Sequence, residues 1–127
     1  MRINSVSQQS FGARANTWTK LLLFQLESNG IDTKPHTDII NKIYVGDNLS
    51  TKINDDGSIY MDIFDKNGDQ KTKAFDHDPE SYVNPGTFKL KDPKRFSTKL
   101  YAVLQVLASK RNTNQKISDK VNSQLHE

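Results

Sequence analysis

Phe64-Asp65-Lys66-Asn67-Gly68-Asp69 constrains the fold more than any other stretch, because it sets an Asn-Gly pair between two segments of alternating character. Asn-Gly supplies the positive-φ residues of a tight turn, so the flanking segments are expected to pair as an antiparallel β-hairpin. With Asn67 and Gly68 as the turn residues, Lys66 faces Asp69, Asp62 faces Lys73 and Tyr60 faces Phe75. One register thus yields both an ion pair and an aromatic pair, which supports it. Upstream, Asp56-Gly57 predicts a second turn that sets Ile53 beside Tyr60, Thr51 beside Asp62 and Leu49 beside Phe64. A meander over 49–54, 58–65 and 70–75 follows. One of its faces carries Leu49, Ile53, Tyr60, Phe64 and Phe75, and helices are expected to cover it. Ile59, Met61, Ile63 and Ala74 fall on the other face, as apolar surface surplus to a two-layer core.

Helical signals flank the meander. Thr17–Ser28 ends at Asn29-Gly30, a left-handed stop, with Ile31 placed to meet Leu26 in a Schellman cap. Trp18, Leu21, Leu22 and Leu26 form its stripe, while Leu23 and Phe24 fall away from it. A second, short helix is expected from Asp38 to Tyr44 with Thr37 as its N-cap. After the acidic run Asp76-His77-Asp78-Pro79-Glu80, Pro85-Gly86 predicts a turn and Thr87–Leu90 a short edge strand. Asp92-Pro93 opens the strongest helix, with Asp as cap and Pro at the first helical position. Phe96, Leu100, Val103, Leu104 and Leu107 follow at core spacing. Asn112-Thr113-Asn114 is expected to break it, and Ile117, Val121 and Leu125 to mark a thin final helix. The fold class is therefore α+β: a small single domain with two helices, a three- to four-stranded antiparallel meander, a long helix and a short terminal one. Residues 1–16, rich in Ser, Gln and Asn, are expected to form a flexible arm, residues 17–111 the domain, and residues 112–127 a terminal helix or frayed tail.

Composition narrows the chemistry. With no cysteine, a disulfide framework, a thiolate nucleophile and cysteine-ligated zinc are all excluded. The start, MRINSVSQQSFGARAN, lacks the apolar stretch of a secretory signal, and no run reaches the roughly 20 apolar residues of a membrane span. A soluble, cytoplasmic protein without membrane partners is expected. Charge is uneven. Residues 1–84 carry nine Lys/Arg against twelve Asp/Glu, whereas residues 85–127 carry nine against three.

Four constellations bear on function. Asp65, Asn67, Asp69 and Asp76 have the spacing of a calcium loop. Gln70 replaces the required glycine, however, and Lys71 and Lys73 add cations, so the hairpin accounts for the same residues better. Asp76, His77 and Asp78 form the densest set of metal-ligating types, and would serve a metal-dependent enzyme. No nucleophile elbow, phosphate-cradling glycine loop or distinguished pair of carboxylates is present, so no enzyme and no cofactor is expected. Lys94, Arg95, Lys99, Lys110 and Arg111 concentrate charge on the long helix and suit a nucleic-acid-binding accessory protein. Leu23, Phe24, Met61 and Ile63 are the surplus apolar residues and suit a contact with another protein or a second copy. A non-enzymatic protein-interaction or assembly module is the first expectation.

Overall fold

The computed structural model describes residues 13–56, 58–76, 83–84 and 89–125. In chain order these form strand β1 (Arg14–Ala15), helix α1 (Thr17–Ser28), helix α2 (Lys34–Asn41), strands β2 (Asn48–Ile53), β3 (Ile59–Phe64), β4 (Gln70–Asp76), β5 (Val83–Asn84) and β6 (Lys89–Leu90), and helix α3 (Pro93–Leu125). The α+β class holds, with a mixed four-stranded sheet of order β1-β2-β3-β4 and a separate β5-β6 pair. β1 runs parallel to β2, and the other pairings are antiparallel.

The hairpin register is as expected where it matters. Tyr60 faces Phe75 and Asp62 faces Lys73. The turn itself is one residue longer, so Lys66 does not face Asp69. Instead Asp65 and Asp69 close a loop of Lys66, Asn67 and Gly68, with Asp65 N–H donating to the Asp69 carbonyl at 2.9 Å. Gly68 takes φ 87°, a left-handed conformation that a bulged three-residue turn assigns to glycine. The Asp65 carboxylate accepts from the Asn67 and Asp69 amides at 2.9 and 3.0 Å, so it caps the turn rather than awaiting a cation. Those amides, the Asp69 one first, hold its pKa below the ordinary carboxylate range. A bulge between the Ile63–Thr72 and Phe64–Gln70 pairs absorbs the extra residue and restores the register beyond it.

The second turn differs with a larger consequence. Asn54 pairs with Ser58, and the Asp56 carboxylate accepts from Ser58 N–H at 2.9 Å and Ser58 O–H at 2.6 Å. β2 and β3 are thereby shifted by one residue, pairing Ile53 with Ile59, Thr51 with Met61 and Leu49 with Ile63. Side chains alternate along a strand, so the slip exchanges the faces. Ile59, Met61 and Ile63 are buried with Leu49, in one cluster with Leu22 and Leu26 of α1, Ile40 of α2, and Phe96, Leu100, Leu104 and Leu107 of α3. Tyr60, Phe64 and Phe75 point the other way, and Phe75 is 55% exposed.

The helices keep most of their sequence signals. α1 ends in the expected Schellman geometry, with Ile31 N–H bound to the Leu26 carbonyl and Gly30 N–H to Glu27. α2 begins four residues earlier than expected, with Thr33 at its cap and Pro35 in its first turn, where a missing N–H costs nothing. Asp92 caps α3 through Arg95 N–H at 3.2 Å. α3 does not break at Asn112-Thr113-Asn114. It holds 33 residues, about 50 Å at 1.5 Å each. Asn and Thr disfavour a helix by less than about 0.7 kcal/mol each, and neither Gly nor Pro is present to stop it. Beyond Arg111 the helix leaves the core, and Ile117 and Val121 are exposed.

Residues 13–16, expected in the arm, belong to the folded domain. Residues 1–12 lie outside the described part, but Ala13 is buried, Arg14–Ala15 pair with β2, and Asn16 caps α1. The Asn16 carbonyl oxygen accepts from Thr19 N–H at 3.1 Å and Thr51 N–H at 3.2 Å, and its amide donates to the Thr51 carbonyl at 3.3 Å. One side chain thus ties the helix start to the neighbouring strand. Asn16→Ala is expected to cost about 1–2 kcal/mol, the upper part of the N-cap range, in urea denaturation. A loss below about 0.5 kcal/mol would mean that the strand contacts contribute nothing.

Candidate functional site

A groove of about 790 Å³ lies between α1, α2 and β1 and reaches the turn between β3 and β4. Leu23 of α1, Ile40 of α2 and Val45 line it beside Arg14, Lys20 and Lys66. Val45 is 69% exposed, and Leu23 is partly buried against the core. Asp47 is the one acid among its described lining residues.

That acid is already neutralised. Arg111 donates through Nε and Nη2 to the two oxygens of Asp47, the second at 3.0 Å, and through Nη1 to Gln115 at 3.0 Å. Its guanidinium carbon lies 5.1 Å from the centroid of the Tyr44 ring. The two charged side chains are 4% and 2% exposed. The bond to Asp47 raises the Arg111 pKa above its ordinary value, so the guanidinium stays charged at any working pH. The groove therefore presents three cations and apolar surface with no free counter-charge of its own.

Of the four apolar interface residues expected from sequence, Leu23 lines this groove and Phe24, 64% exposed, follows it on α1. Met61 and Ile63 are corrected: both are wholly buried in the core, because the one-residue slip turned them inward. In their place Trp18 and Leu21 are exposed on α1 with Phe24, although the sequence stripe had assigned them to the core. The sequence holds no signal for this beyond the helix period, since Thr19 rather than Trp18 faces the sheet through a 2.6 Å hydroxyl contact with Thr51.

The basic set divides as well. Lys94, Arg95 and Lys110 are exposed and Lys99 is half-buried on α3. Arg111 is corrected from a phosphate contact to a buried structural partner. Among the weak metal candidates Asp76 ends β4, while His77 and Asp78 lie outside the described residues. Among the described residues no three His, Asp or Glu side chains come together. His36 is buried against Tyr101, with Nε2 3.0 Å from the Ser97 carbonyl. Among the described residues no carboxylate is hydrogen-bonded to it.

On the opposite face of the sheet Asp62 is 2% exposed, taking a 3.1 Å hydrogen bond from Gln70. Burial raises its pKa above the ordinary 3.8, against the opposing pull of Tyr60, Lys52, Gln70 and Lys73. A carboxyl that holds its proton more tightly when folded adds stability below about pH 3.8, and loses it as pH rises through the folded value. Asp62→Asn is thus expected to raise Tm at neutral pH and to leave it unchanged near the acid end, where the carboxyl is already neutral. A lower Tm at neutral pH would show that the neighbouring lysines outweigh the burial.

The chain matches no family model, no curated protein and no solved structure. No described helix is long and apolar enough to cross a membrane.

Proposed function

We propose that the chain is a non-enzymatic protein-interaction module whose groove between α1, α2 and β1 takes an acidic, partly apolar segment of a partner protein. The observation that carries this reading is the lining: Leu23, Ile40 and Val45 beside Arg14, Lys20 and Lys66, with Asp47 consumed by Arg111. Apolar side chains of the incoming segment bury against the first set, and its carboxylates meet the second.

The test is fluorescence anisotropy with a labelled peptide of alternating Glu and Leu, against a Lys and Leu peptide as control. Binding of the acidic peptide alone, weakening with salt, is the expected result. Lys20→Glu with Lys66→Glu should weaken it at least about tenfold, since each reverses an exposed rim charge. Equal affinity for both peptides, or no effect of the double charge reversal, would remove the groove as the site. Mass measurement in solution separates a second copy of the chain from a different partner.

A further inference from the structure

The outer face of the sheet holds an arrangement that neither the core nor the groove uses. Three rows cross it: Lys52–Tyr60–Phe75, Ser50–Asp62–Lys73 and Asn48–Phe64–Gln70. The residues that cover the sheet's other face are those of α1, α2 and α3, so the aromatic face lies away from the helices. Tyr60 and Phe64 are half-buried, Phe75 is 55% exposed, and Lys52 and Lys73 are exposed. We propose that this face is a platform for a single strand of nucleic acid, with Tyr60, Phe64 and Phe75 stacking on bases and Lys52 and Lys73 meeting phosphates.

The geometry suits that ligand. Tyr60 lies directly across from Phe75, and Phe64 stands four residues further along β3, about 13 Å away at 3.3 Å per residue. The Tyr60–Phe75 pair and Phe64, each beside a polar or cationic neighbour, provide two separate stacking positions that any base can use. Lys52 stands at the outer end of the first row and Lys73 at the opposite edge of the second, so cations bracket the aromatics on β2 and β4. Asp62 between them is largely covered, with Gln70 on one oxygen and the Lys52 and Lys73 charges offsetting its own.

Charge selects this occupant over the others. A protein interface excludes charged residues from its centre, whereas here a carboxylate stands on the central strand with a lysine on each flanking one. A second copy pressed face to face would bring four exposed lysines into its seam. The proposal does not depend on the groove.

The experiment is anisotropy of a labelled mixed-sequence oligodeoxynucleotide of about 12 nucleotides, single-stranded and as duplex, from about 50 to about 200 mM salt. The single strand is expected to bind more tightly than the duplex. Lys52→Gln with Lys73→Gln should lower the slope of log affinity against log salt by about 1.4, at about 0.7 per phosphate contact. Tyr60→Ala with Phe75→Ala should weaken binding at least about tenfold, and Phe75→Ser alone, at an exposed position, at least about fivefold with an unchanged circular dichroism spectrum. Lys94→Gln with Lys110→Gln on α3 should leave the stacking contribution intact. The proposal is overturned if no strand binds at the lowest salt, if the duplex binds as tightly, or if Phe75→Ser has no effect. It is equally overturned if the loss follows the α3 variant alone, or if the lysine and Phe75 variants change only the oligomeric state.

Discussion

Arg111→Ala is expected to destabilise the protein by about 3–5 kcal/mol, a fall in Tm on the order of 10–20 °C. The cause is what the substitution leaves behind. Asp47 is 2% exposed, and without the guanidinium it is a buried carboxylate with neither a counter-charge nor its two strongest donors. Tyr44 loses the cation over its ring, and Gln115 loses the donor that fixes the turn of α3 where the helix leaves the core. The double variant Asp47→Leu with Arg111→Met should recover most of the loss, because a buried ion pair is worth little more than the apolar groups that fill its place. Thermal and urea denaturation of the single and double variants decide the matter. A single variant within about 1 kcal/mol of the parent would place the pair in contact with water and detach it from the groove. The groove reading relies on this pair, since a freed Asp47 would return a negative charge to the lining.

Met61→Ala is expected to cost about 2–5 kcal/mol, while Phe24→Ala should stay within about 0.5 kcal/mol. Met61 is wholly buried on β3 between Thr51 and Ala74, so its truncation loses apolar contact and leaves a cavity. Phe24 is mostly in solvent on α1, so the fold gives up little when it is removed. The contrast separates the two halves of the apolar set that sequence reasoning had grouped as one surface. If Met61→Ala proved neutral and Phe24→Ala costly, the sheet would face the other way and the aromatic platform would be the core.

Local features were legible because local chemistry sets them. Asn67-Gly68 marked the hairpin, and the pairing of Asp62 with Lys73 and Tyr60 with Phe75 followed from counting outward. Gly30 and Ile31 marked the end of α1, and Asp92-Pro93 the start of α3. Each is a contact between residues a few positions apart, or a register fixed by one turn. The candidate site was much less legible. Leu23 and Phe24 were visible as surplus apolar residues, yet no spacing along the chain joins Arg14, Lys20, Ile40, Val45 and Lys66 into one groove.

By itself the sequence determined the α+β class, the places of the two hairpins, the limits of α1, the start of α3 and the absence of cysteine chemistry. Only the tertiary structure decided which face of the sheet is inside. The Asp56 turn is closed by Ser58 rather than by a two-residue loop, and with a side-chain period of two that single residue exchanged every inward position of β3 for an outward one. It also decided that Ala13 to Asn16 belong to the domain, because strand pairing with β2 and the cap on α1 are relations between distant segments. Arg111 shows the same limit: one more cation in a basic stretch, it became structural only when folding brought Asp47 against it, 64 residues away in the chain.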